Sequence, residues 1–418
     1  MVQSLPVIEM GSWHSQTDHE KYRQARDSGH RVVLQYGLRT FITYADVASI
    51  LVDKKFRPPG PDWLIQRGVP DGPLFDWWNL FFHSQRGEQH RRYRTLLAQV
   101  LSSSLLEQIR TSVERRTAEL CASLSDTGEV DLVADVCRKA PLEILCSSLG
   151  FDDTDFKKIG KYSADFGTVF AGIDKISPEV RAMLETAIST LSRLAKDAIR
   201  ARSVSPRPDI ISRLVAENDA ALTEDEVTAL VVNLIVGSYD TVPSLLACTI
   251  HALLSDPAHW RTISARPEMA AAAVEEANRH ESCISIFPYV ADEAANVGGV
   301  QIEASEMIIL SILAANRDPH RFTQPDRFDI YRTNNKHLGM GLGPHYCAGA
   351  SLSRALTCGT ISALATSLPD MRLRDEEVSW NGTSELRAPR SLPVDLRPIP
   401  MSSHASAASP TTAGGDRP

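Results

Sequence analysis

The chain is short of the features that mark several protein classes. Aromatic residues make up only 6% of its 418 residues, and none of its seven cysteines sits in a CxxC pair. An odd number of scattered cysteines, most in apolar helical surroundings, argues against a disulfide framework or a structural zinc site and fits a reducing cytoplasm. Basic residues are not in excess: 44 Lys and Arg face 52 Asp and Glu, leaving −8. A nucleic-acid surface normally shows as a basic excess or stripe, so none is expected. The opening, MVQSLPVIEMGSWHSQTDH, lacks a basic start followed by an apolar core, so no signal peptide is expected. The most apolar run, Val227 to Leu254, is interrupted by Asn233, Asp240 and Pro243. The aspartate alone would cost roughly 2.5–3.5 kcal/mol at a bilayer centre, so this run reads as a buried core helix and no membrane contact is expected.

What remains is an ordinary soluble globular composition, 43% hydrophobic and 23% charged. One domain over residues 1–400 is expected, mainly α with a smaller β-rich part. The β-rich N-terminal portion spans about 30–60 and a helical core about 88–370; the Ser/Ala/Gly/Pro tail 401–418 reads as disordered. Thr223-Glu224-Asp225-Glu226 is a capping box, and the helix it opens extends to Leu254 on this reading, roughly 45 Å of spine. A helix over Pro267 to His280 precedes short strands around Ser285 to Val290, Val297 to Ile302 and Met307 to Ser311. A long irregular stretch, Asn316 to Gly349, then leads into a final helix ending near Leu368. Long ordered loops are uncommon and often functional.

The chemistry concentrates in four places. Gly341-Leu342-Gly343-Pro344-His345-Tyr346-Cys347-Ala348-Gly349 puts a cysteine between glycines just before a helix. Close backbone N–H groups and the helix N-terminus both lower a thiol pKa there, which makes Cys347 a candidate thiolate; an incidental buried cysteine is the plain alternative. Glu276 and Arg279 share one helix face, and Arg327 in the irregular stretch offers a second arginine that could bracket the glutamate and tie the loop to the core. His90 and Arg94 project from one face of a helix over Glu88 to Leu101 and suit an anionic group, or form a solvated basic face. Within the spine, Gly237-Ser238-Tyr239-Asp240-Thr241 places an acid and a hydroxyl where desolvation costs unless they are paired, with Pro243 removing an N–H. Either the helix is simply kinked with a satisfied threonine, or a widened turn makes room for a small ligand.

Together these residues, in this order and spacing over about 30–398, resemble the soluble bacterial cytochromes P450. The resemblance implies that family's fold, with haem b between the long central helix and the helix following the Cys loop. It makes Cys347 the axial thiolate, whose charge donation favours O–O cleavage, and Glu276, Arg279 and Arg327 a structural set. His90, Arg94 and His345 would hold the haem propionates, and Gly341 and Gly349 would line the ligand loop. Asp240 and Thr241 would form the acid–hydroxyl pair that handles oxygen and protons. Departures occur: Met340 stands where a phenylalanine is usual, Tyr289 where an arginine serves a propionate, and Ser238 and Val242 flank the acid–hydroxyl pair.

By the same resemblance a substrate pocket would draw on Trp77, Trp78, Asn79, Phe170, Asn233, Val236, Gly237, Ile286, Phe287 and Leu386. Apolar walls with a few polar groups suit a medium-sized natural product. The implied activity is monooxygenation, a hydroxylation or epoxidation in secondary metabolism; oxidative coupling of an aromatic or peptide-like substrate is the alternative, and a non-catalytic haem protein a remoter one. No flavin or NADPH segment is evident, so a ferredoxin and its reductase are the expected electron donors, with Arg86, Arg91 and Arg92 a candidate landing patch or a solvated face. A cytoplasmic monomer is expected.

Overall fold

The computed structural model describes residues 5–8, 15–124, 129–170, 175–219, 221–374, 377–382 and 385–396; the expected disordered tail lies outside them. Helices dominate, with small sheets at the periphery. Near the N-terminus Val32–Gln35 and Leu38–Phe41 pair as a hairpin, Val32 opposite Phe41. Its two-residue turn, Tyr36-Gly37, has φ of 54° and 74°, the left-handed pair that matches strand twist. Leu38–Phe41 continues in parallel with Met307–Ser311, which pairs antiparallel with Ile286–Ala291; Phe56–Arg57 closes this five-stranded sheet.

The capping box forms as the sequence requires: the Thr223 hydroxyl accepts from the Glu226 N–H and the Glu226 carboxylate from the Thr223 N–H. The spine is not one uninterrupted helix, however. It runs as Glu224–Tyr239 and Thr241–Leu254, with Asp240 at the junction. The break puts Pro243 in the first turn of the second segment, where a missing N–H costs no intrahelical bond. It also divides the interior. Val227 to Ile235 are buried in a core with the helices Gly87–Val100 and Pro178–Val204, whereas Leu245 to Leu254 are buried in a second core with Ala270–His280 and Ala350–Ser367. Burying each Leu or Val there contributes roughly 1.5–3 kcal/mol, so both halves are firmly held while the junction between them is not part of either core.

The helix expected from Pro267 starts as a 3-10 turn, Pro267–Met269, and becomes α-helical over Ala270–His280. The Gly298-Gly299 turn joins Ala295–Val297 to Val300–Ile302. Although Glu224–Leu254 is long and apolar enough to cross a membrane, most of it is buried inside the protein.

Candidate functional site

A cavity of about 340 Å³ opens where the spine breaks. Leu234, Gly237 and Ser238 from the first segment and Thr241, Val242 and Leu245 from the second line it, together with Met340, His345, Cys347, Ala348 and Gly349 of the Cys loop. The Thr241 hydroxyl donates to the Gly237 carbonyl at 2.5 Å, so the hydroxyl is satisfied locally. A Cβ added at Gly237 would meet nothing within 4 Å, so the glycine keeps the cavity open beside Thr241.

The Cys loop is built by its own backbone. The Cys347 N–H donates to the Met340 carbonyl at 2.8 Å and the Gly341 N–H to Leu338 at 2.8 Å. Gly343, at φ 70°, lies so close to the helix Tyr44–Val52 that a Cβ would come within 2.8 Å of the Leu51 carbonyl. Arg94 clamps the loop from outside, donating to the carbonyls of Pro344 at 3.1 Å and Tyr346 at 2.6 Å. Cys347 keeps exposed surface and lines the cavity. Burial raises its thiol pKa, and the Gly349 N–H with the charges of Arg354 and Arg94 lowers it only in part. The Gly349 N–H thus acts in the expected direction, and desolvation opposes it in the protein by itself.

His90 and His345 come together, their rings 4.6 Å apart, and His83 joins them at 5.6 Å from His345. Burial, helped by neighbouring charges, lowers all three pKa values, His83 to about 4 and His345 to about 2. Nε2 of His90 and Nδ1 of His345 are buried without a partner among the described residues. His83 was not singled out from sequence; it lies on a separate 3-10 turn, Phe82–Ser84, out of register with the helix that carries His90.

Glu276 sits at the centre of the expected tie, with one substitution of partner. Arg279 grips it with two donors at 2.8 and 2.9 Å. The second arginine is Arg332, whose Nε lies 3.2 and 3.1 Å from the two carboxylate oxygens; Arg327 instead has an exposed side chain that, among the described residues, reaches only Gln324 at 3.4 Å. Arg327 contributes through its carbonyl, which accepts from Arg279 and Arg332. Next to it, Glu275 binds Arg354 at 2.6 and 2.9 Å and His337 at 3.2 Å; burial would raise its pKa, but these partners hold it at about 2. Arg354 also donates to the Tyr346 hydroxyl at 3.0 Å, tying the Cys loop to the same helix.

Other expected residues lie elsewhere. Asp240 turns away from the cavity toward Arg138, 3.6 Å distant; burial raises its carboxyl pKa and Arg138 opposes this. Tyr289 is buried among Phe41, Val47 and Ile308 in the apolar core beneath the sheet and does not line the cavity. Trp78, Phe170, Asn233 and Phe287 do line it. Trp77 does not: it packs on Phe81 and edge-on to Phe166, with ring centroids 4.9 and 5.1 Å away. Asn79 bonds back to the Phe75 carbonyl one turn earlier. Val236 packs against the first core, Ile286 is buried in its strand, and Leu386 bridges to Ile284 against the second core. In place of Leu386, its neighbour Glu385 reaches the cavity. The basic patch is largely neutralised, since Arg86 pairs with Asp292 and Arg91 with Glu88.

No protein-family model matches the chain. Nocardicin C N-oxygenase of Nocardia uniformis subsp. tsuyamanensis is 32% identical to it over 389 residues, covering 89% of this chain and 93% of that protein. Mycinamicin IV hydroxylase/epoxidase of Micromonospora griseorubida is 30% identical over 377 residues, covering 87% and 91%. Among solved structures, P450BioI in complex with acyl carrier protein ligated to hexadec-9Z-enoic acid superposes with a TM-score of 0.83 at 26% identity, over 91% of this chain and 99% of that one.

Proposed function

The chain belongs to the bacterial cytochromes P450 and is a monooxygenase of that family; from this premise we propose that Cys347 ligates haem b in the cavity and that the substrate is a medium-sized, largely apolar natural product. The observation that carries the reading is that Cys347 and Thr241, at the broken helix, line the same cavity.

The residues present fit such a group. The unpartnered nitrogens of His90 and His345 can donate to propionate oxygens, and two anions would counter the lowering of the imidazole pKa values that burial causes. His83, which also lines the cavity, adds a third imidazole beside His345. When bound, haem supplies the redox chemistry that activates dioxygen, and its iron, as a nearby positive charge, favours the deprotonated Cys347 that burial alone opposes.

The remaining steps fall to side chains. The Thr241 Oγ1, fixed as a donor to the Gly237 carbonyl, keeps lone pairs with which to hold a water's proton in the cavity. Asp240, on the outer side of the break beside Arg138, is placed to take up a proton from solvent, which suits a carboxyl whose pKa burial raises. Apolar walls from Trp78, Phe170, Val242 and Phe287 exclude bulk water. Electrons come from a ferredoxin and its reductase, in the cytoplasm, to a monomeric enzyme. Because Arg86 and Arg91 are paired, that docking surface is better sought elsewhere than on this helix.

Incubation with labelled oxygen gas, substrate and a surrogate ferredoxin system tests the reaction type. Label in the product supports oxygen insertion; turnover without label would assign oxidative coupling instead.

A further inference from the structure

We propose that Glu385 is the specificity-determining group of this cavity and that it selects an apolar substrate carrying a cationic nitrogen. The inference rests on the reading of this cavity as the substrate site and names the class of molecule that fits it.

Among the described residues that line the cavity, the half-buried Glu385 is the single carboxylate, and it shares that lining with the apolar Trp63, Trp78, Phe81, Phe170, Ile284 and Phe287. No described side chain forms an ion pair or hydrogen bond with it. Arg67 is the one charged group that acts on it, but that guanidinium lies 4.4 Å above the Trp63 ring and donates to the Val169 carbonyl at 2.7 Å. A carboxylate left thus among apolar walls is costly, and burial pushes its pKa up to about 7, with Arg67 opposing.

Its placement is preorganised. The Glu385 carbonyl accepts from the Ser285 N–H at 2.7 Å, Leu386 bridges to Ile284, and the next residue, Arg387, is fully buried and bound to Glu281 at 2.8 Å. The backbone on its C-terminal side is thus pinned to the strand that carries Phe287. A fold that merely needed a hydrogen-bond acceptor could use a neutral amide at lower cost. A cation offsets the desolvation penalty most directly, by pairing with the charge in a low-dielectric site.

A second polar point lies on the central helix. Both amide atoms of Asn233 are buried and without a partner among the described residues. The complementary molecule therefore has an apolar body, a cationic nitrogen for Glu385 and a hydroxyl or carbonyl for Asn233.

The test uses the haem-loaded protein and calorimetric titration with three probes of one chain length: n-octyltrimethylammonium, n-octanol and n-octanoate. The quaternary nitrogen has no lone pair, so it cannot bind iron. At pH 8 the cation is expected to bind at least tenfold more tightly than octanoate and more tightly than octanol, and its advantage shrinks at pH 6 as Glu385 takes up a proton. Glu385→Gln should weaken the cation at least fivefold and leave octanol within twofold. Equal affinity for cation and alcohol, a preference that survives in Glu385→Gln (which would assign it to the aromatic walls), or one that grows as pH falls overturns the proposal. Failure of the underlying site reading shows separately: the reduced wild-type protein would then lack the thiolate-type carbon monoxide band, which Glu385 does not influence.

Discussion

Replacing Arg332 with alanine should destabilise the protein, whereas the same change at Arg327 should not. Glu276 is 1% exposed and Arg332 11%, so their contact is shielded from solvent. Truncating Arg332 removes its contact with Glu276 together with its bonds to the carbonyls of Thr323, Gln324 and Arg327. Glu276 nevertheless keeps Arg279, Asn335 and the Asp329 N–H. The loss is therefore smaller than the ~3–5 kcal/mol of an abandoned buried charge and nearer the ~1.5–3 kcal/mol of a charge-assisted hydrogen bond. With an unfolding entropy of about 2.1 cal/mol/K per residue, a chain of this length carries about 0.9 kcal/mol/K. A loss of about 2.5 kcal/mol thus lowers Tm by about 3 °C. Arg327→Ala, which removes one exposed contact, should cost less than about 0.5 kcal/mol and shift Tm by well under 1 °C. Differential scanning calorimetry of both variants at equal haem loading decides the matter, since bound haem itself raises Tm. If Arg327→Ala lowers Tm as much as Arg332→Ala, the assignment of the second arginine is wrong.

Cys347→Ser should abolish the red-shifted absorption band of the reduced, carbon monoxide-exposed protein; persistence of that band would remove Cys347 as the ligand. Thr241→Ala deletes the hydroxyl bonded to Gly237 and should divert reducing equivalents to peroxide, at least several-fold more peroxide per NADPH consumed than in wild type, with the haem spectrum retained. Glu385 has a folded-state pKa near 7, above the ordinary carboxylic acid value, so its proton favours the fold below that ordinary value and the advantage is lost as pH rises toward 7. Glu385→Gln should therefore raise the Tm of substrate-free protein by about 1–3 °C at pH 8 and by little at pH 5; an equal shift at both would show that the carboxyl is not desolvated.

The elements legible in the sequence are those whose signal is local. The helices and the Thr223 capping box appear where their residues place them, because backbone bonds between near neighbours decide them; the Met307–Ser311 strand was legible from its apolar run, although its partners are distant in sequence. The helix over Glu224 to Leu254 was legible as a run but not as two segments, since the break depends on how Asp240 and Thr241 settle between two cores.

For the site, the sequence by itself marked the candidates: Cys347 among its glycines, Thr241 beside Gly237, and Glu276 with Arg279 one turn on. Tertiary structure alone decided which of two arginines five residues apart reaches Glu276, because an irregular stretch has no periodicity to point a side chain. It alone turned Asp240 outward to Arg138, buried Tyr289 beneath the sheet and brought His83 to His345. It also set Glu385, rather than Leu386, against the cavity. In each case the partner lies far away in sequence, and the direction of the side chain follows from packing between elements.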